Sequence, residues 1–350
     1  MDPEVTVLIV YYSHSDDLSR CLESLAQTRY TNFNVIIVSN GSVDRLENVI
    51  SSHKTDFPLR IIRNQHNLGY PGGCNIGLKH VTSKYVVLLN QDTQVTPDWL
   101  SFLVATAESD PQIAAAQPKL LHLGDGNAFD YNGAAGGFLD LQAIPFLRGR
   151  VFESTENDLG QYDRTTDVFW ASGASMFLRT HALREVGPLD ETFFMHMDEI
   201  DLSWRLRLRG YRIVCDPSSV VFHKGGSDLD SYYYLKQRNN LILLLKNYGL
   251  KNAATAFLGR SVLDTASMLY YMRKNGNRSI STLRAYLWVL FNLRQVFNRR
   301  AIVQSCRTVP DDRIVASMAK TSVALQYFLM RRRLFLRLSG LPAPIASYIR

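Results

Sequence analysis

Residues 5–28 read VTVLIVYYSHSDDLSRCLESLAQT. Val5 to Tyr12 is an unbroken β-branched and aromatic run, SHSDD is a polar break, and Leu18, Cys21, Leu22 and Leu25 then fall at helical spacing up to Thr28. That is strand, loop, helix. The unit recurs with Val35-Ile36-Ile37-Val38 followed by NGSVD and a helix, then with Leu59 to Ile62, a helical Asn75 to His80, and a strand over Tyr85 to Leu89. Fully apolar strands alternating with helices predict an α/β fold whose mostly parallel, Rossmann-like sheet is flanked by helices. Such sheets bind ligands beyond the carboxyl ends of their strands.

Beyond this repeat the pattern loosens. A helix is expected over 97–109, a long irregular loop over Gly124 to Arg150, and short strands at 174–178 and 219–222. From Asn239 onward the chain reads as helix, through LILLL at 241–245, AYLWVLFNLRQVF at 285–297 and VALQYFLMRRRLFLRL at 323–338.

Charge divides the 350 residues unevenly. Residues 1–235 carry 19 Lys+Arg and 29 Asp+Glu, whereas residues 236–350 carry 20 Lys+Arg and three acids, Asp264, Asp311 and Asp312. The expected organisation is an α/β unit over 1–245 and a basic, amphipathic helical extension over 246–350. With no nucleic-acid motif in it, such an extension suits an anionic membrane surface. The plainer alternative is a packed helical subdomain or a homo-oligomer interface. Four cysteines without CxxC spacing suggest neither zinc nor a disulfide framework. Met1-Asp2-Pro3-Glu4 has no leader character, and no run approaches the ~18 to 20 apolar residues of a spanning helix. The expectation is a cytoplasmic protein, peripheral on the inner face of the cell membrane.

Chemistry is to be sought first in FFMHMDEIDLSWRLRLRGYR, residues 193–212, where Asp198, Glu199 and Asp201 follow an apolar run. Carboxyls beside apolar bulk have tunable pKa values, as a general base requires. The apolar residues here alternate like a strand, but acids at the start, arginines at the end and Gly210 beyond them predict a helix. Asp201 and Arg205 have the spacing of an ordinary helical ion pair. In Leu88-Leu89-Asn90-Gln91-Asp92, an acid follows a strand end, where it is either a turn former or a ligand for Mg²⁺ or Mn²⁺. VSNGSVD at 38–44 is a helix cap or a nucleotide contact, and NQHNLGYPGGCNIG at 64–77 is a flexible connection or a close backbone approach to a ligand. His223, in VFHKGG, is a surface residue or a metal ligand.

In this order the motifs resemble inverting family 2 glycosyltransferases of the GT-A fold, particularly the bacterial rhamnosyltransferase-like members that build surface polysaccharides. The resemblance covers about residues 5–245 and is carried by VLIVYYS, VSNGSVD, NQHNLGYPGGCNIGL, YVVLLNQDTQVTPDWL, the stretch from VFWASG to RGYRI, and VFHKGG. It implies a nucleotide-sugar donor held by Tyr12, Ser39, Asn40, Asp44, Asn67, Gly69, Gly73, Asn90 and Asp92. Asp92 falls on the metal-binding acid with Asn90 in place of its partner, and His223 aligns with a late histidine that completes the site. Ser39 stands where many members carry a base-binding Asp, which makes Asn40 or Asp44 the substitutes. Asp198 and Glu199 match the acidic pair, whose second member is the usual base. Trp170, Ser172 and Gly173 match the acceptor side. The implied activity is transfer of a sugar, rhamnose among the candidates, to a glycan or lipid-linked hydroxyl. A non-catalytic nucleotide- or sugar-binding module of the same fold is the alternative, and the intact Asp92, Glu199 and His223 argue against it.

Overall fold

A computed structural model describes residues 2–42, 46–51, 56–225, 232–274 and 276–342. Asp44 lies outside them. Five strands and four helices come first in the chain. They are β1 (Val5–Tyr11), α1 (Ser15–Leu25), β2 (Phe33–Asn40), α2 (Leu46–Ser51), β3 (Leu59–Asn64), α3 (Gly69–Leu78), β4 (Tyr85–Asn90), β5 (Thr93–Val95) and α4 (Trp99–Ser109). Next is β6 (Ile113–His122), and then four strands of two or three residues, β7 (Gly137–Leu139), β8 (Pro145–Leu147), β9 (Arg150–Val151) and β10 (Ser154–Thr155). β11 (Thr166–Asp167), β12 (Ser175–Arg179), α5 (Thr180–Val186), α6 (Asp198–Leu208) and β13 (Arg212–His223) follow. The remainder is helical: α7 (Tyr233–Asn247), α8 (Leu250–Met272), α9 (Gly276–Phe291), α10 (Leu293–Ser305), α11 (Asp311–Ala316) and α12 (Val323–Phe328).

The main sheet runs β11-β13-β6-β12-β4-β1-β2-β3, with β5 added to β13. β3, β2, β1 and β4 are mutually parallel, and β13 is parallel to β6. β12 is antiparallel to both β4 and β6, so β6 and β13 point the same way as β4. The ends of β1, β2, β4 and β13 therefore open on one edge. This mixed but mostly parallel sheet is the expected α/β architecture, with apolar clusters on both faces.

Four expectations are corrected. The 124–150 stretch contains β7 and β8 and most of a four-stranded antiparallel sheet, β10-β9-β8-β7, whose strands are too short to show periodicity. β13 extends far beyond 219–222, because register shifts at Arg212/Ile213 and Asp216/Val220 absorb Pro217 and hide the strand in the sequence. The chain over 323–338 leaves the helix after Phe328, since Phe335 must dock among Phe138, Phe146 and Tyr162. The helix expected through 285–297 breaks at Asn292, where α9 gives way to α10.

The position 245/246 falls inside α7. Met318, Ala319, Val323 and Phe335 join the same core cluster as Leu8, Val86 and Trp204. Among the described residues no helix is long and apolar enough to cross a membrane.

Candidate active site

The strand ends supply the first half of the site. Asp92 sits two residues past β4, and His223 ends β13 opposite Thr93 of β5. Asp92 Oδ1 is 3.2 Å from His223 Nε2, and Asp130 Oδ1 is 3.1 Å from His223 Nδ1. His223 and Asp130 are fully enclosed. Burial opposes a charged imidazole, but the two carboxylates overcome it and raise His223 to about 10. Against the same push of burial, His223 and Lys224 hold Asp92 below its ordinary value. The Asn90 amide nitrogen lies 3.3 Å from Nε2.

Once the imidazole gives up its second proton, the pair suits a divalent cation in donor type and spacing. Oxygen and nitrogen donors 3.2 Å apart match adjacent corners of an octahedron with bonds of about 2.1 Å, whose edge is about 3 Å. Among the described residues no third His, Cys, Asp or Glu joins them, so remaining ligands would come from substrate oxygens or water. Asp130 was not singled out in the sequence. Its Oδ1 lies beside the outer nitrogen of His223 and Nε2 faces Asp92, a carboxylate–histidine arrangement common at metal sites.

Two loops frame this edge. Gln91 receives the Tyr12 N–H at 3.1 Å and donates to the Ser13 carbonyl, which ties the end of β1 to that of β4. Tyr12 is half exposed there, and Lys224 closes the loop after β1 by gripping both oxygens of Asp17 at 2.9 Å. Neither Gln91 nor Lys224 stood out as a motif. Asn40, buried, donates to Asn67 Oδ1 and to the Gly69 carbonyl and accepts from Asn64 and from the Leu68 N–H. Asn67 also receives the Gly69 N–H. The two asparagine side chains are thus occupied in shaping the 64–69 loop, while Ser39 lies beside Asn40 at the end of β2.

The glycine-rich stretch is not the flexible connection its composition suggests, because Gly69–Leu78 is helix α3. Gly73 is buried with Val10 only 2.6 Å from where a Cβ would stand, so its bareness lets the helix close on β1. Gly69 has φ +74° and an absent Cβ that would collide with the Phe194 carbonyl. Its role is to admit the segment leading into the acidic helix.

That segment forms the other half. Phe194, His196 and Met197 all have positive φ (60°, 67°, 69°), a costly backbone for non-glycine residues. Asn239 of α7 holds it by donating to the carbonyls of Phe193, Met195 and His196 at 2.8–2.9 Å. α6 then begins with Asp198 and Glu199, and the buried helix ends at Leu208, capped by Arg209, with Gly210 at φ +91° beyond it, as expected. Burial on nearly every side explains why its sequence alternates like a strand.

The two acids differ. Asp198 is 2 % exposed with Oδ2 unpartnered, and burial together with Glu199 pushes it well above the carboxylate range. Glu199 keeps part of its side chain accessible, yet the protein around its carboxyl raises it by burial to about 7. One is a sealed acid shifted upward by burial and the other a partly accessible group titrating near neutrality. Asp201 and Arg205 form the expected pair at 2.8 Å, and Arg205 also ties down the carbonyls of Val186, Gly187 and Pro188.

The residues assigned to the acceptor side separate. Trp170 is buried over Gly137 and donates to the Phe138 carbonyl, and Ser172 is buried and hydrogen-bonded to Gln117 and Asn132. Gly173 alone is partly open. Its absent Cβ would stand 3.6 Å from Glu199 and 3.8 Å from Tyr70. The next residue, Ala174, receives the Asn90 N–H at 3.0 Å. The start of β12 therefore joins the acidic helix to the strand end carrying Asp92.

Replacing Asn239 with Ala should release the strained 194–197 turn. Expected is a roughly tenfold fall in kcat with the KM of a ligand held at the Asp92 side unchanged, since that side is not touched. Equal change in both constants would deny Asn239 a positioning role.

The family model for glycosyl transferase family 2 matches residues 6–185. The chain is 28% identical over 226 residues to the O-antigen biosynthesis protein RfbC of Myxococcus xanthus, covering 63% of this chain but only 17% of that relative. Its fold is similar to that of a mannosyltransferase from Pyrobaculum calidifontis in complex with GDP-Man and Mn²⁺ (TM-score 0.53, 15% identity, 87% of this chain and 86% of that one). It is also similar to Staphylococcus aureus TarS 1–349 in complex with UDP-GlcNAc (TM-score 0.55, 13% identity, 86% and 91%). The fold is thus that of GT-A glycosyltransferases. The chain belongs to glycosyltransferase family 2, and it spans less than half the length of these first curated relatives.

Proposed function

We propose that this chain transfers a hexosyl or deoxyhexosyl group, rhamnose among them, from a nucleoside diphosphate sugar to a hydroxyl of a glycan or lipid-linked acceptor, with inversion, at a membrane surface. The setting would be polysaccharide assembly, as the O-antigen role in the name of the Myxococcus relative supports. The observation that carries the reading is the placement of a partly open, near-neutral carboxyl, Glu199, against Gly173, one residue from the contact with the strand end of Asp92.

Asp92 and His223 would hold a magnesium or manganese ion, which when bound would offset the charge of a diphosphate leaving group. Asp130 keeps His223 turned toward it. Gln91 and the 64–69 loop, set by Asn40 and Asn67, shape the donor side near Tyr12 and Ser39. Glu199 takes the proton from the acceptor hydroxyl, whose oxygen attacks the anomeric carbon opposite the departing nucleoside diphosphate. Burial and Glu199 disfavour a charge on Asp198, which limits the negative charge beside the base.

Asp92→Asn and His223→Ala test the donor half by calorimetry with UDP, dTDP or GDP. Asp92→Asn should weaken nucleotide binding in Mn²⁺ by about 10- to 100-fold, and His223→Ala less. In chelator both should match the unmodified protein. Wild-type affinity for both variants in Mn²⁺ would remove these residues from the metal site.

A further inference from the structure

We infer that the α8–α9 hairpin is a docking surface for an anionic lipid bilayer, laid beside the acceptor mouth. The inference rests on the proposed membrane setting and names the surface that meets it. Leu258, Val262, Leu269 and Met272 of α8 are 63–70% exposed. At about 100° per residue they occupy an arc of about 80°. Ile280, Leu283, Leu287, Leu290 and Phe291 of α9 are 42–81% exposed and fall within about 100°. The buried residues Ala253, Ala256, Arg260 and Asp264 of α8, and Thr282, Ala285 and Val289 of α9, lie on the opposite sides.

The two helices run antiparallel, with Ser279 bonded to the Met268 carbonyl and the Tyr286 hydroxyl to Asp264. Their inner sides pack on α7, through Leu241 and Ile242 against Ala285 and Val289. Each helix thus turns one long apolar stripe to solvent, a surface that a soluble helix normally covers with charge.

Charge selects the occupant. The only carboxylate between residues 250 and 310 is Asp264, 7% exposed and held by Arg260. Arg273, Lys274, Arg284 and Arg294 are exposed around the stripes. A second copy of this face would bring cations against cations with no acid to receive them, whereas an anionic bilayer supplies both an apolar interior and negative headgroups.

Position adds the functional link. At the hairpin tip, Arg278 donates to the Tyr271 hydroxyl and lies 5.4 Å over the ring of Tyr233, the first residue of α7. The neighbouring Tyr232 packs its ring on His196, two residues before Asp198. Lipid against the tip would therefore sit next to the segment that carries Glu199, where a lipid-linked acceptor would arrive. The Arg331-Arg332-Arg333 run is a weaker anchor, since Arg332 is engaged with Gln326 and Ser339.

The test is sedimentation of the full chain with phosphatidylcholine vesicles, with and without phosphatidylglycerol. A variant with Leu258, Val262, Leu269 and Met272 all changed to Ser keeps the charge. Unmodified protein should bind only the anionic vesicles and lose binding as salt rises. The variant should bind about tenfold more weakly or worse, with unchanged melting temperature and unchanged Mn²⁺-dependent nucleotide binding. Three results would overturn the inference: no binding of the unmodified protein, wild-type binding by the variant, or a solution dimer that the variant turns into monomer. Loss of donor turnover with vesicle binding intact would instead count against the proposed reaction and leave the surface standing.

Discussion

Glu199→Gln should lower sugar transfer by about 10² to 10⁴ while leaving metal-dependent nucleotide affinity within about twofold of the unmodified enzyme. Gln fills the same space beside Gly173 and Tyr70 but cannot take a proton. Asp198 is poorly placed to substitute, being sealed from the acceptor space, and burial disfavours its charged form. Near-normal transfer by this variant would move the base elsewhere in the site.

The pH profile supplies an independent check. A base acts when deprotonated, so with Glu199 raised to about 7 the rate should climb through that region on its acidic limb. Because Asp198 is its neighbour, the midpoint belongs to the pair. Stability should run the other way. A carboxyl whose ordinary value of 4.5 is raised to about 7 on folding disfavours the fold above pH 4.5, and the penalty is complete once pH passes about 7. Glu199→Gln should therefore be more stable than the unmodified protein at pH 8, by on the order of 1 to 3 kcal/mol in urea titrations. An inactive variant that is also less stable would point to damage instead of a lost base.

β1, β2 and β4 are legible in sequence because they are nearly continuous apolar runs between polar breaks, as a sheet covered on both faces requires, whereas the edge strand β3, LRIIRN, is legible only from its short Leu59 to Ile62 core. β6 escapes notice because IAAAQPKLLH is rich in Ala and contains Pro118, both weak strand signals. The motif residues Asp92, Glu199 and His223 are legible by type and order, and parallel strand direction explains why Asp92 and His223 meet. What holds them is not. Asp130 and Asn239 act through contacts between distant segments and carry no local pattern, and the sequence does not show that the Asn40 and Asn67 side chains bond within the 64–69 loop. In the acceptor motif, Trp170 and Ser172 are buried and only Gly173 is partly open, a difference the sequence does not show.

Lys246→Met should cost about 3 to 5 kcal/mol of unfolding free energy, because it leaves two buried carboxylates with one cation fewer. Lys246, on α7, is 2% exposed, with Nζ 2.7 Å from Asp190 and 2.8 Å from Asp201. Arg299 of α10 also binds Asp190, while Arg205 and Asn247 bind Asp201. Met keeps the stem and its packing, so the loss reports the charge. Against the upward push of burial, Lys246 and Arg299 hold Asp190 well below the usual range. That contribution is whole above the unfolded value near 3.8 and fades as pH falls through the lower folded one, so the gap between unmodified protein and variant should be flat from pH 5 to 8 and close only in strong acid. Asp190→Asn combined with Lys246→Met should recover part of the loss, since it removes one of the stranded charges. The same network bears on where the catalytic unit ends. Asp201 lies on the helix whose first turn carries Glu199, so a chain cut after Leu245 would strand that helix's acid without Lys246 or Asn247, and it should fail to unfold as a single cooperative transition. A loss below about 1 kcal/mol in Lys246→Met, or a well-folded chain ending at Leu245, would show that these charges are screened by water instead of paired in the core.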